Sequence, residues 1–174
     1  MRLRLTLMPE QKRAPQITDP TGRTVAANVR RHRERQGLST YDLSRLLSEA
    51  GRPMTPAAVG RIERAERRVD VGDLMALAVV LNIAPASLLL PPDDNPSTVV
   101  ELLPGRAPDG GEVTVTAGRL WDWADGQQPL FGHPDPEQEI QGVVDFIRFS
   151  RPPIRRRIEM MRALEAFRED GTDG

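Results

Sequence analysis

The chain contains no cysteine, which excludes a disulfide framework, a thiolate zinc site and a cysteine nucleophile. Histidine is nearly missing as well: His32 and His133 lie far apart and cannot alone build a metal site. There is no run of 18 apolar residues, so the sequence offers no membrane-spanning segment. The start, MRLRLTLMPEQKR, lacks the apolar stretch of a signal peptide. These absences together point to a cytoplasmic protein. Lysine is all but absent, since every basic residue except Lys12 is arginine. A GC-rich genome produces that bias as readily as selection for arginine's planar, bidentate chemistry does. No nucleophile–base pair, metal set or phosphate-binding loop is visible, and Asp122 and Asp125 have no identifiable catalytic partner, so the sequence does not read as an enzyme and calls for no cofactor.

What is present is a division of charge. The net charge of −1 hides a basic half (15 basic against 9 acidic residues through position 92, net +6) and an acidic half (9 against 16, net −7). A basic half suits a polyanion, and an acidic half beside it suggests a different partner or task, although two solvated surfaces give the same count. At 174 residues the chain fits one medium domain or a small domain with an appendage, and 14 glycines and 16 prolines leave room for irregular chain.

Residues 1–19 mix Pro, Gln, Lys and Thr without sustained periodicity and read as a mobile arm, although MRLRLTL alternates as a short strand does. Residues 20–91 read as five short helices. The first, over 22–36, places Val25 and Val29 on one face and ends at Gly37. The second opens at Ser39, with Asp42 placed to complete a capping box, carries Leu43, Leu46 and Leu47, and stops near Gly51-Arg52-Pro53. The third is capped by Thr55 with Pro56 at its first position, and Val59 and Ile62 face inward. The fourth is capped by Asp70 and carries Leu74, Leu77, Ala78 and Leu81; the fifth runs from Pro85 to Leu90. Leu43, Leu46, Val59, Ile62, Leu74, Leu77, Leu81 and Leu88 supply one small core.

Residues 92–111 read as a linker holding one possible strand, Val99–Leu103. Residues 112–174 form a C-terminal extension. Within it Glu112–Ala117 and Arg119–Trp123 look like extended chain, Asp125-Gly126 like a turn, and Asp135-Pro136 like a helix start. A last helix from Pro153 carries Ile154, Ile158, Met161, Leu164 and Phe167. The fold class is thus mainly α, a five-helix domain plus a small α+β extension.

The stretch 38–64 carries chemistry suited to a DNA groove. Reading duplex DNA needs a protruding helix, a second helix that holds it across the backbone, and donors for phosphates and base edges. The start of helix two offers backbone N–H groups and the hydroxyls of Ser39 and Thr40, which suit a phosphate oxygen. Helix three begins with little bulk, Thr55-Pro56-Ala57-Ala58, so it can approach bases closely, and Ala57 suits a thymine methyl. Gly60 and Arg61 follow one turn on, where arginine can make two parallel bonds to guanine, worth about 1–3 kcal/mol of discrimination. Arg64, Arg67 and Arg68 are placed for backbone phosphates. The alternative is that Ala57, Ala58 and Gly60 are small only because a helix packs on them, with the arginines a solvated face.

The run VAANVRRHRERQGLSTYDLSRLL, followed by MTPAAVGRIERAERRVDVGDLMALAVVLNIAPASLLLP, resembles the lambda-repressor-like, or XRE, helix-turn-helix family. The matching pieces are Arg30-x-x-Arg33-x-x-x-Gly37-Leu38-Ser39, Asp42-Leu43-Ser44, Val59-x-Arg61-Ile62-Glu63 and Leu74-x-x-Leu77-Ala78-x-x-Leu81-Asn82-Ile83. The resemblance implies a sequence-specific transcriptional regulator, a repressor that binds a two-fold site on double-stranded DNA as a homodimer. It implies a phosphate contact at Thr40, groove-facing Thr55 to Ala57 and Arg61, and backbone contacts from Arg64 to Arg68. It also implies a largely buried Arg33–Glu63 pair, which would make Arg33 structural. Three departures stand out. Thr40 sits where glutamine is common, Pro56 and Ala57 replace polar residues, and the 48–54 connection is about five residues longer than the usual tight turn. That connection either extends helix two or makes a loop in which Arg52 adds a phosphate contact. The extension resembles no family. Trp121 and Trp123 suit either a ligand pocket or a small core, and the last helix either a dimer face or packing within its own chain. Arg155, Arg156 and Arg157 read as a solvated face among acidic neighbours. The competing functional reading is an antitoxin-like interaction subunit whose acidic half binds a protein partner.

Overall fold

The computed structural model describes residues 17–106 and 112–153, and, from 155 to 162, all but 157 and 159. The expected strand in MRLRLTL, the arm through residue 16, Leu164 and Phe167 lie outside the described residues. The chain is mainly helical with a small two-stranded antiparallel sheet. In order come α1 (Pro20–Arg35), α2 (Thr40–Glu49), α3 (Pro56–Glu63), α4 (Val71–Val80), α5 (Ala86–Leu89), β1 (Val99–Arg106), β2 (Glu112–Thr116), α6 (Ala117–Ala124) and α7 (Pro136–Ser150). Helical backbone recurs at the described positions from 153 to 162.

Side-chain oxygens set the helix starts. Asp19, Ser39, Thr55, Asp70, Thr116 and Asp135 each precede a helix and accept from a backbone N–H of its first turn. Such caps satisfy donors with no intrahelical partner, and each contributes about 1 kcal/mol. Schellman-type closures end α3 and α4. The N–H of Glu66 reaches the carbonyl of Arg61 at 2.8 Å, and that of Ile83 reaches Ala78 at 3.0 Å, with Ala65 and Asn82 at positive φ between them.

One apolar core joins α1 to α5. Val29, Leu43, Leu47, Val59, Ile62, Leu77, Leu81 and Leu88 are sealed from solvent within it. Of the expected core, Leu46 and Leu74 are only half-buried; Leu47, one helical turn beyond Leu43, takes the inner position on α2. Asn28 is buried on α1, and its amide donates to the carbonyls of Leu88 and Leu90 at 3.1 and 2.7 Å, fastening α5 to α1. The end of the supposed arm is not loose. Ile17 is buried against Ala26 and Ala65, and its N–H donates to the Ala65 carbonyl at 3.0 Å.

The extension lies against α1 and α5. Its strands pair Val99 with Thr116, Val100 with Val115 and Glu101 with Thr114, and the register breaks before Arg106 and Glu112. β1 therefore occupies much of the segment expected to be linker. Thr21, in the first turn of α1, donates its hydroxyl to the Leu102 carbonyl at 2.9 Å, and the Trp121 indole donates to Pro91 at 3.2 Å. Residues 119–123 are not extended. Thr116 caps α6 by accepting from the Arg119 N–H, and the buried residues Ala117 and Leu120 form one helical face.

Candidate nucleic-acid interface

α3 is short, and its two faces differ in kind. Ala58, Val59 and Ile62 are buried in the core. Ala57, Arg61 and Arg64 are exposed along the opposite side, with Pro56 and Gly60 half-buried beside them. Positions 57, 60, 61 and 64 fall on one stripe of a helix. The smallness of Ala58 is explained by packing; that of Ala57 is not, because solvent lies over it. The stripe is thin at its start and basic at its end.

Thr55 is exposed and serves as the helix cap, its hydroxyl oxygen accepting from the Ala58 N–H at 3.1 Å. At the other end α3 is tied to α1. The Arg33 guanidinium donates to Glu63 Oε1 at 2.6 Å and Oε2 at 2.8 Å, and its third bond goes to the Leu38 carbonyl at 2.7 Å. Both side chains are largely buried, 12% and 7% exposed. This fork fixes three segments at once: the end of α1, the turn before α2 and the end of α3. The exposed stripe is thereby presented on a rigid mount.

The basic residues divide into occupied and unoccupied. Among the described residues, the guanidinium groups of Arg61 and Arg68 have no hydrogen-bond or ion-pair partner, and both are exposed. Arg64 is paired with Glu66 at 2.9 Å on the surface. Arg52, expected as a spare phosphate donor, is instead held at 2.7 Å from Asp70 and 2.8 Å from Asp73. Arg67 reaches the other oxygen of the same Asp73 at 3.1 Å. Asp73 is 2% exposed, so two arginines satisfy one buried carboxylate, and their pairing staples the α2–α3 connection and the α3–α4 loop to the start of α4. The longer 48–54 connection is thus α2 carried to Glu49 followed by a loop anchored through Arg52. Hydrogen bonds to the Asp73 and Gly72 backbone, with the charge of Arg52, hold the Asp70 carboxyl below the usual carboxylate range.

The start of α2 is also committed. The Ser39 hydroxyl donates to Asp42 at 2.5 Å and accepts from the Asp42 N–H at 3.1 Å, while the Ser39 N–H donates to Asp42 at 2.9 Å. The capping box lowers the Asp42 pKa and leaves a carboxylate where a phosphate contact was expected. Thr40 is half-buried and Tyr41 is 75% exposed beside it. The structure thus brings Thr55, Pro56, Ala57, Gly60 and Arg61 onto one helix; Arg64, Arg67 and Arg68 follow it, whereas Arg52 and Ser39 are drawn into local structure.

Sequence reasoning missed Asp73, although Asp70-x-x-Asp73 repeats the spacing of Ser39-x-x-Asp42. It also missed Asn28 and His32, both buried on α1. The two tryptophans part company: Trp121 bonds the main chain at Pro91, while Trp123 lines an open cleft between the extension and the helical unit.

No protein-family model matches this sequence, and comparison with curated proteins and with solved structures gave no significant match either.

Proposed function

We propose that this chain is a sequence-specific regulator of double-stranded DNA, with α2 and α3 forming an XRE-type helix-turn-helix and α3 entering the major groove. The observation that carries this reading is the exposed stripe of α3: no bulk at Ala57 and Gly60, then a guanidinium at Arg61 with no partner among the described residues. A helix about 10–12 Å across fits a groove about 12 Å wide only if its leading face is thin. Ala57 then lies against a thymine methyl and Arg61 reads guanine O6 and N7. Arg68, just beyond the helix, takes a backbone phosphate. Arg64 and Arg67 must give up or share carboxylates to do the same, so they contribute less.

A protein of this kind acts as a repressor by covering promoter DNA, and two copies related by a two-fold axis would read half-sites about one helical turn, roughly 10 bp, apart. Selection of bound duplexes from a random pool at near-physiological salt tests the proposal. The expected outcome is enrichment of a two-fold motif with guanine at a fixed position in each half. Failure to enrich any duplex sequence overturns it.

A further inference from the structure

A large open cleft lies away from α3, where the extension meets α1 and α5. It is a cleft of about 1120 Å³, close to the upper end of the roughly 300–1,000 Å³ of small-molecule sites. Four elements supply its apolar wall. Leu89 and Leu90 come from the end of α5, Leu102 from β1, and Trp123 and Phe146 from α6 and α7. Arg151, Arg155 and Arg162 also line it, and Asp125 is the one carboxylate among the described lining residues. Among the described residues the apolar wall is therefore edged by the guanidinium groups of Arg151, Arg155 and Arg162.

Gly126 has φ +68°, which favours glycine at the turn after α6, and the Arg151 side chain lies across it, with Nε 2.4 Å from where a Cβ would stand. Arg151 Nε then makes only a long contact, 3.4 Å, to the Gly126 carbonyl, and the Arg151 carbonyl in turn accepts from Arg156. Arg155 is exposed and has no side-chain partner among the described residues. Among the described residues neither Arg151 nor Arg155 forms an ion pair with Asp125.

We propose that this cleft binds a small amphipathic organic anion, a carboxylate on an apolar body, with its body against Leu90, Leu102, Trp123 and Phe146 and its head on Arg151 and Arg155. Planar guanidinium groups match a carboxylate fork through two parallel N–H···O bonds. The occupant touches both the helical unit and the extension, so it stabilises their contact by mass action. The site stands apart from duplex binding and does not rest on it.

Titration of the full chain with sodium decanoate, followed by calorimetry and by tryptophan fluorescence, tests the site, with decan-1-ol and acetate as partners lacking the charge or the apolar body. The expected result is saturable one-to-one binding of decanoate, a change in tryptophan emission and a rise in Tm. Decan-1-ol and acetate should each bind about tenfold more weakly or worse, since charge-assisted bonds and apolar burial each carry at least that factor. Arg155→Gln, which removes no bond within the protein, should weaken decanoate about tenfold with the ligand-free Tm unchanged. Arg151→Gln serves as a second variant with the same expected loss. Absence of saturable binding, equal binding of decan-1-ol, or full affinity in both variants overturns the proposal.

Discussion

Arg33 and Glu63 illustrate how much a single contact fixes here. Their forked bond lies largely out of solvent, and removing either partner strands the other's charge. Arg33→Ala or Glu63→Ala should therefore lower unfolding stability by about 3 kcal/mol or more in urea titration, whereas the double change Arg33→Met with Glu63→Leu should lose much less. Equal losses in single and double variants would deny the charge effect. His32 gives a second handle. Burial, and then the charge of Arg31, pushes its pKa below the ordinary value of about 6.5. The folded state thus binds fewer protons than the unfolded one in the window just under that value. Its contribution is complete above about pH 6.5 and falls as pH drops toward the lowered folded pKa. Tm measured from pH 7.5 to 5.5 should decline, and His32→Gln should flatten that decline. The carboxyls held low, Asp42 and Asp70, act in a separate window below about pH 4.

Among the elements, α2, α3 and α4 were legible because each start shows a side-chain oxygen followed by apolar residues at helical spacing. Ser39, Thr55 and Asp70 announce α2, α3 and α4 in this way, and the caps are present with their bonds made. α6 was not legible. Trp121-Asp122-Trp123 alternates over three residues as a strand does, too short a window to separate period 2 from period 3.6. The deciding residue is Thr116, whose oxygen accepts from the Arg119 N–H at 3.3 Å. Thr116→Ala should cost about 1 kcal/mol in urea titration and increase hydrogen exchange through α6, with α1 to α4 unaffected. Unchanged exchange in α6 would show that packing of Ala117 and Leu120 alone holds it. The candidate interface was legible to the same degree. The exposure of Ala57 and Arg61 follows from the helical period once Val59 and Ile62 are placed inside. The partners of Arg52, Arg64 and Arg67 do not follow from it, because Asp73 meets Arg52 only through folding of segments 21 residues apart.

Over the whole molecule, two surfaces of unlike character emerge from one chain. α3 carries a thin basic stripe on a core-anchored mount, and the acidic half folds back on α1 and α5 around a cleft edged by arginine. No described helix is long and apolar enough to cross a membrane. The mean charge of the halves was readable from composition, but its distribution was not: three arginines of the acidic half converge on the cleft while several of the basic half are spent on Glu63, Glu66 and Asp73.

The groove-reading role proposed for α3 comes down to Arg61. Binding of the full chain to its selected duplex and to a scrambled duplex should be compared, at one salt concentration, for the unaltered protein, Arg61→Ala and Arg68→Ala. Arg61→Ala is expected to lose about tenfold or more on the selected duplex and little on the scrambled one, whereas Arg68→Ala should weaken both alike and flatten the dependence on salt. An equal loss on both duplexes for Arg61→Ala, or no loss on either, would contradict the assignment of α3 as the element that reads DNA sequence.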